Sequence, residues 1–127
     1  SVRNGSRPGW FHESLVGEDG GFSEDLWRAY LDEQWRPGLS VLIKEHRPDL
    51  IFFNAGCDPH RDDPLGKLDL SSEGLFERDT YVFRTARSSG IPVAGVLGGG
   101  YSHDHSEIAE RHAITVRAAS QDFRQLP

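Results

Sequence analysis

The chain has 127 residues, room for one domain, and its 36% hydrophobic and 27% charged residues exclude a disordered or fibrous class. A formal net charge of −6 argues against a dedicated nucleic-acid surface, which needs clustered Lys and Arg, while leaving a cationic or acylated-amine substrate open. A single cysteine, Cys57, excludes an internal disulfide and makes a reducing, cytoplasmic setting the default, and no apolar run approaches the roughly 20 residues of a membrane helix.

Residues 1–22 are rich in Gly, Ser and charge and read as loop, with Trp10 and Phe11 as isolated anchors. They lack the apolar core of a signal peptide, and a start without Met leads us to expect a processed or excerpted chain. Residues 23–127 carry the domain. Ser23 followed by Glu24 and Asp25 has the form of a helix N-cap with acidic first-turn residues, and Leu26, Trp27, Tyr30 and Leu31 then recur at helical spacing. Pro37-Gly38 is expected to break this helix and open a second, carrying Leu39, Leu42, Ile43 and His46, which Arg47-Pro48 stops. Leu50 to Phe53 is a run of four apolar residues ahead of Asn54-Ala55-Gly56, the pattern of a buried parallel strand. Residues 57–72 form a long polar loop. A helix over Glu73–Arg87 follows, with Leu75, Val82, Phe83 and Ala86 on one face, and Ser88-Ser89-Gly90 ends it. Ile91 to Leu97 predicts a second buried strand, Gly98-Gly99-Gly100-Tyr101 a turn, and Ser106–Ala118 a last helix with Ile108, Ala109, His112, Ala113 and Val116 inward; the tail from Gln121 stays unassigned.

This order is a βαβ unit behind a leading helix, hence two parallel strands of an α/β layer fold. Two strands make a poor sheet, so the unit is expected to pack against more strands than the chain obviously supplies. In such folds ligands bind beyond the C-terminal ends of the strands, and both strands deliver polar residues there, Gly56-Cys57-Asp58 and Gly98 to Tyr101. Asp58 could ligate a metal or simply form an Asx-turn. Tyr101 could donate to a developing oxyanion or merely cover a sheet edge. The glycine run lacks the spacing of a nucleotide-binding loop. Cys57 reads as a small core residue. Asp79, on an apolar stripe, calls for a structural ion pair or backbone bonds, since a buried charge needs a partner.

Asp49 to Asp58, Asp63-Pro64-Leu65-Gly66-Lys67-Leu68, Ser72 to Leu75 with Arg78-Asp79, and Gly98 to Tyr101 together resemble the C-terminal part of histone deacetylases. Its Asn-Ala-Gly-x-Asp and Arg-Asp forms resemble the class IV type and its bacterial relatives, which merge into the acetoin-utilisation and acetylpolyamine amidohydrolase proteins. The resemblance covers about residues 22–118 and implies an arginase-like three-layer α/β fold with its N-terminal half missing. It further implies zinc-dependent hydrolysis of acyl-lysine or related acyl-amines. Residue by residue, it makes Asp58 one of three Zn2+ ligands, Tyr101 the phenol that polarises the substrate carbonyl, and Gly99 and Gly100 the lining of the acyl channel. It makes residues 63–66 a support for Asp58. The other two ligands and the His-His general base are absent before Asp58; His60 is not a family ligand, and His103 and His105 read as a solvated turn. The chain alone is therefore expected to be inactive, with a missing N-terminal half or a second chain as partner. The rival is a non-catalytic α/β interaction module that kept the signature.

Overall fold

A computed structural model describes residues 31–124. The loop 1–22 and the first helix up to Tyr30 lie outside these residues, as do Trp10, Phe11 and Trp27. A π-helical turn, Leu31–Trp35, runs directly into helix α1, Arg36–His46. The expected break at Pro37 is thus a change of winding. Pro37 has no N–H to offer the carbonyl four residues back, and the preceding turn widens while Trp35 stays in helical φ/ψ. Arg47 ends α1 in the left-handed conformation, its N–H donating to the Ile43 carbonyl.

Strand β1 is Ile51–Ala55, helix α2 is Ser72–Ser88, strand β2 is Val93–Leu97 and helix α3 is His105–Arg124. Ser71 caps α2, its hydroxyl accepting the Gly74 N–H at 3.1 Å. β1 and β2 pair in parallel, Ile51 beside Val93 through Ala55 beside Leu97. β2 begins two residues later than the sequence indicates, after Pro92, whose carbonyl still accepts the Ile51 N–H. α3 runs six residues past its expected end. Arg87 holds the added turn, reaching both the Asp122 carbonyl and its carboxylate, at 2.7 and 2.9 Å.

The helices cover the sheet face that carries Phe53 and Gly95: Phe53 meets Phe83 edge-on, and Gly95 lies beneath Phe83 and Thr115. Cys57, Leu70, Leu75 and Ile114 form the buried core beside it, so Cys57 is the core residue its position predicts. Tyr81 ties α1 to α2, donating to the Arg36 carbonyl at 3.0 Å beneath the Arg36 guanidinium and beside Trp35.

Two expectations need correction. The strands are not buried: Phe52 is 75% and Leu97 64% exposed, because the described residues cover only one face of the two-stranded sheet. The described residues form two layers, the sheet and its helices. The inward face of α3 is also turned from the expected one. Ile108 does pack against the core, with His112 and Ala113 half-buried, but Ala109 and Val116 are exposed, while Arg111, Ile114, Thr115, Ala118 and Asp122 are buried. The polar members are accommodated because each has a partner. Thr115 donates to Asp79 at 2.6 Å, and Asp79, 1% exposed, also pairs with Arg78 at 2.7 Å, the structural ion pair its position calls for.

Candidate active site

Because β1 and β2 are parallel and in register, their C-terminal ends share one rim. The ladder continues past both strands, with the Cys57 N–H donating to the Gly99 carbonyl at 2.7 Å. That bond sets Asp58 against the glycine turn. A Cβ on Gly99 would stand 2.8 Å from Asp58 Oδ1, and one on Gly56 would overlap the same oxygen. The half-buried Asp58 carboxylate therefore lies in a notch that only glycines leave open. Gly66 closes beneath it, against the Asp58 carbonyl. Gly100 takes φ +154°, and a Cβ there would overlap the Cys57 sulfur. The need for Gly99 and Gly100 thus has an internal packing reason, whatever else passes over them.

Tyr101 leaves this turn 53% exposed. Its backbone is held from both sides. Asp63 Oδ2 accepts the Tyr101 N–H at 2.7 Å, and the Arg111 guanidinium donates to the Tyr101 carbonyl at 3.4 Å. Asp63 Oδ1 accepts the N–H groups of Leu65 and Gly66 at 2.9 and 2.8 Å, which folds its own loop. Burial pushes the Asp63 carboxyl up, but those three N–H groups and Arg111 outweigh it and hold it below the usual carboxylate range. The loop 63–66 accordingly reaches Tyr101 as well as Asp58.

His60 is buried away from ligand duty. Its Nε2 bonds Ser72 Oγ at 3.1 Å and its Nδ1 accepts the Asp62 N–H at 3.2 Å, while burial, then Arg111, push its pKa down. Burial likewise raises the Cys57 thiol, against Arg111, and the His112 ring lies 3.7 Å from that sulfur. His103 and His105 are exposed around Asp104, whose carboxylate accepts the Ser106 N–H at 2.8 Å at the start of α3, as expected of a solvated turn.

The structure therefore brings Asp58, Gly99, Gly100 and Tyr101 together on one rim. Among the described residues, no group of three or more His, Cys, Asp or Glu is placed to hold a metal ion. A catalytic zinc needs three protein ligands and a water. That is more than the described residues bring together around the rim. Sequence reasoning missed Arg111 and the tie from Asp63 to Tyr101. Arg111 stands three residues after Ile108 on the half-apolar face of α3, a weak signal that hydrophobicity alone reads as outward.

The sequence profile of the histone deacetylase domain matches residues 14–117. The chain belongs to the histone deacetylase family. It is 42% identical over 81 residues to an uncharacterised protein of Picosynechococcus sp., covering 64% of this chain and 27% of that one. It is 36% identical over 88 residues to histone deacetylase 2 of Arabidopsis thaliana, 69% of this chain and 22% of that one. It is also 36% identical over 63 residues to a probable deacetylase of Methanothermobacter thermautotrophicus, half of this chain and 18% of that one. The chain thus spans roughly a quarter or less of each of these relatives. Membership of this family implies an arginase- or deacetylase-like fold, and the described residues show an α/β arrangement with a two-stranded parallel sheet. No helix among the described residues is long and apolar enough to cross a membrane.

Proposed function

We propose that this chain is the C-terminal part of a zinc-dependent amide hydrolase that removes acyl groups from acyl-lysine or related acyl-amines. The observation that carries the reading is the rim itself: in a chain of the histone deacetylase family, a notched carboxylate and an exposed phenol stand at adjacent C-terminal strand ends. In this reading Asp58 is one of three zinc ligands. The other two, and the His that accepts the water proton, come from the remainder of the domain or from a second chain. Zinc, when bound, acts as a Lewis acid on the substrate carbonyl. Tyr101 Oη donates a hydrogen bond to the same oxygen as negative charge develops there, an interaction stronger in the transition state than in the ground state. Gly99 and Gly100 leave the floor of the acyl channel free of side chains. Cys57, buried and unpaired, fits a reducing cytoplasmic setting.

The rival reading, a non-catalytic interaction module, draws on one observation, the lack of a three-ligand cluster among the described residues. Substitutions in the complete domain separate the two. Asp58→Ala should lose zinc and turnover together. Tyr101→Phe should retain zinc and fold while kcat falls about 10²–10³-fold, the usual cost of one oxyanion donor, with KM little changed. Near-normal kcat in zinc-loaded Tyr101→Phe sinks the assigned mechanism.

A further inference from the structure

Tyr101 is exposed, follows three glycines and sits on no secondary structure, so its position has to be imposed by other residues. Two buried side chains from separate segments do this. Asp63, 6% exposed, comes from the loop after β1; Arg111, 7% exposed, comes from α3. Asp63 uses both carboxylate oxygens, one for the Leu65 and Gly66 N–H groups of its own loop and the other for the Tyr101 N–H. Arg111 takes the Tyr101 carbonyl and is itself held by Glu107 at 3.2 Å, the carboxylate oxygen that also accepts the Ser102 hydroxyl at 2.7 Å. The Tyr101 peptide groups are thereby tied to the β1 loop on one side and to α3 on the other, while the side chain stays free to meet a ligand.

We propose that Asp63 and Arg111 form a two-sided backbone clamp on Tyr101, with Asp63 as the positioning residue that fixes the phenol relative to Asp58. The clamp rests on the proposed role of Tyr101 for its catalytic meaning, but its existence does not. Asp63 is suited to the task because one carboxylate bridges the two segments: its loop packs under the Asp58 carbonyl through Gly66, and its far oxygen holds Tyr101. An Asn at this position has one acceptor oxygen and an NH₂ group, so it can serve the loop or Tyr101 but not both.

The first test is amide hydrogen exchange by NMR on the 127-residue chain, which needs no turnover. In the native sequence the Tyr101 amide should be protected despite its exposed side chain. In Asp63→Asn its exchange should accelerate about 10- to 100-fold, the scale of a lost hydrogen bond to a charged acceptor, while the Val82 and Ala86 amides of α2 change little. Arg111→Lys keeps the charge without the forked reach and should speed Tyr101 exchange in the same local way. An unprotected Tyr101 amide in the native chain, or unchanged exchange in a folded Asp63→Asn, overturns the clamp, and the native measurement decides even where a variant does not fold. The second test is a double-mutant cycle in the complete domain. Asp63→Asn should lower kcat at constant KM and zinc content, and adding it to Tyr101→Phe should cost no more than about twofold further, since coupled residues are not additive. Multiplying losses overturn the positioning role. A Tyr101→Phe enzyme of normal kcat would instead sink the catalytic assignment and leave the exchange result standing.

Discussion

Asp63 shows how one buried side chain can carry a pH dependence. Its folded pKa lies below the usual carboxylate range, so its contribution to stability is fully present above the unfolded value of about 3.9 and is lost as pH falls through the lower folded value. Asp63→Asn should therefore be less stable than the native chain at neutral pH, by about 1–3 kcal/mol for the lost charged acceptor. The gap should close in acid, below about pH 4, as the native carboxyl protonates. Urea midpoints measured from pH 7 down to pH 3 check both parts. A gap that widens in acid contradicts the sign. Asp79 was legible in the sequence as a buried charge in need of a partner. Its ion-pair partner, Arg78, is its neighbour in the chain; its second partner, Thr115 on a helix 36 residues away, was not legible, because the apolar pattern turned α3 to another face.

At the scale of elements, the glycines decide how closely strand ends approach each other. Gly98 is the sharpest case. A Cβ there would overlap Asn54 Oδ1 and stand 2.9 Å from the Gly56 backbone nitrogen. The side chain can move; the backbone nitrogen cannot without opening the rim. Gly98→Ala should destabilise the chain by about 1–3 kcal/mol, the range for forcing atoms into a packed site. Adding Asn54→Ala should recover only part of that loss, because the backbone contact remains. Denaturation of the two variants is the check, and full recovery would show that Asn54 alone fills the space. The helix stops were largely readable from breakers. The expected span Glu73–Arg87, stopped by Ser88-Ser89-Gly90, lies within one residue of α2 at each end, and the Ser71 cap is added by the structure. The exception is the extension of α3 to Arg124, which depends on Arg87 reaching Asp122 across two helices.

For the whole molecule, the sheet face left open by the described residues and the proposed role of Asp58 as one of three zinc ligands lead to the same outcome. The exposed Phe52 and Leu97 sit on a two-stranded sheet, and such a sheet gains little from burial on one face alone. The chain by itself should not hydrolyse acetyl-lysine peptides with zinc in excess, and calorimetric titration should show zinc binding no tighter than about micromolar, since one carboxylate falls short of the three ligands a catalytic site uses. Chelator-sensitive turnover by the purified chain would overturn this. A tight site that survives Asp58→Asn would transfer the ligand role to other residues.

From β1 onward, sequence alone determined the element order, the parallel βαβ arrangement, the shared rim and the family. These follow from local signals: apolar runs, proline and glycine breaks, and motifs whose order along the chain is itself information. Tertiary structure alone decided which face of α3 turns inward, that the described residues cover one side of the sheet, and that Asp63 and Arg111 meet at Tyr101. The reason is physical. Burying Arg111, Thr115 or Asp122 is unfavourable without a partner and favourable with one; Glu107 lies one helical turn from Arg111, but the partners on other segments lie 10 to 36 residues away along the chain, at separations that no periodicity records.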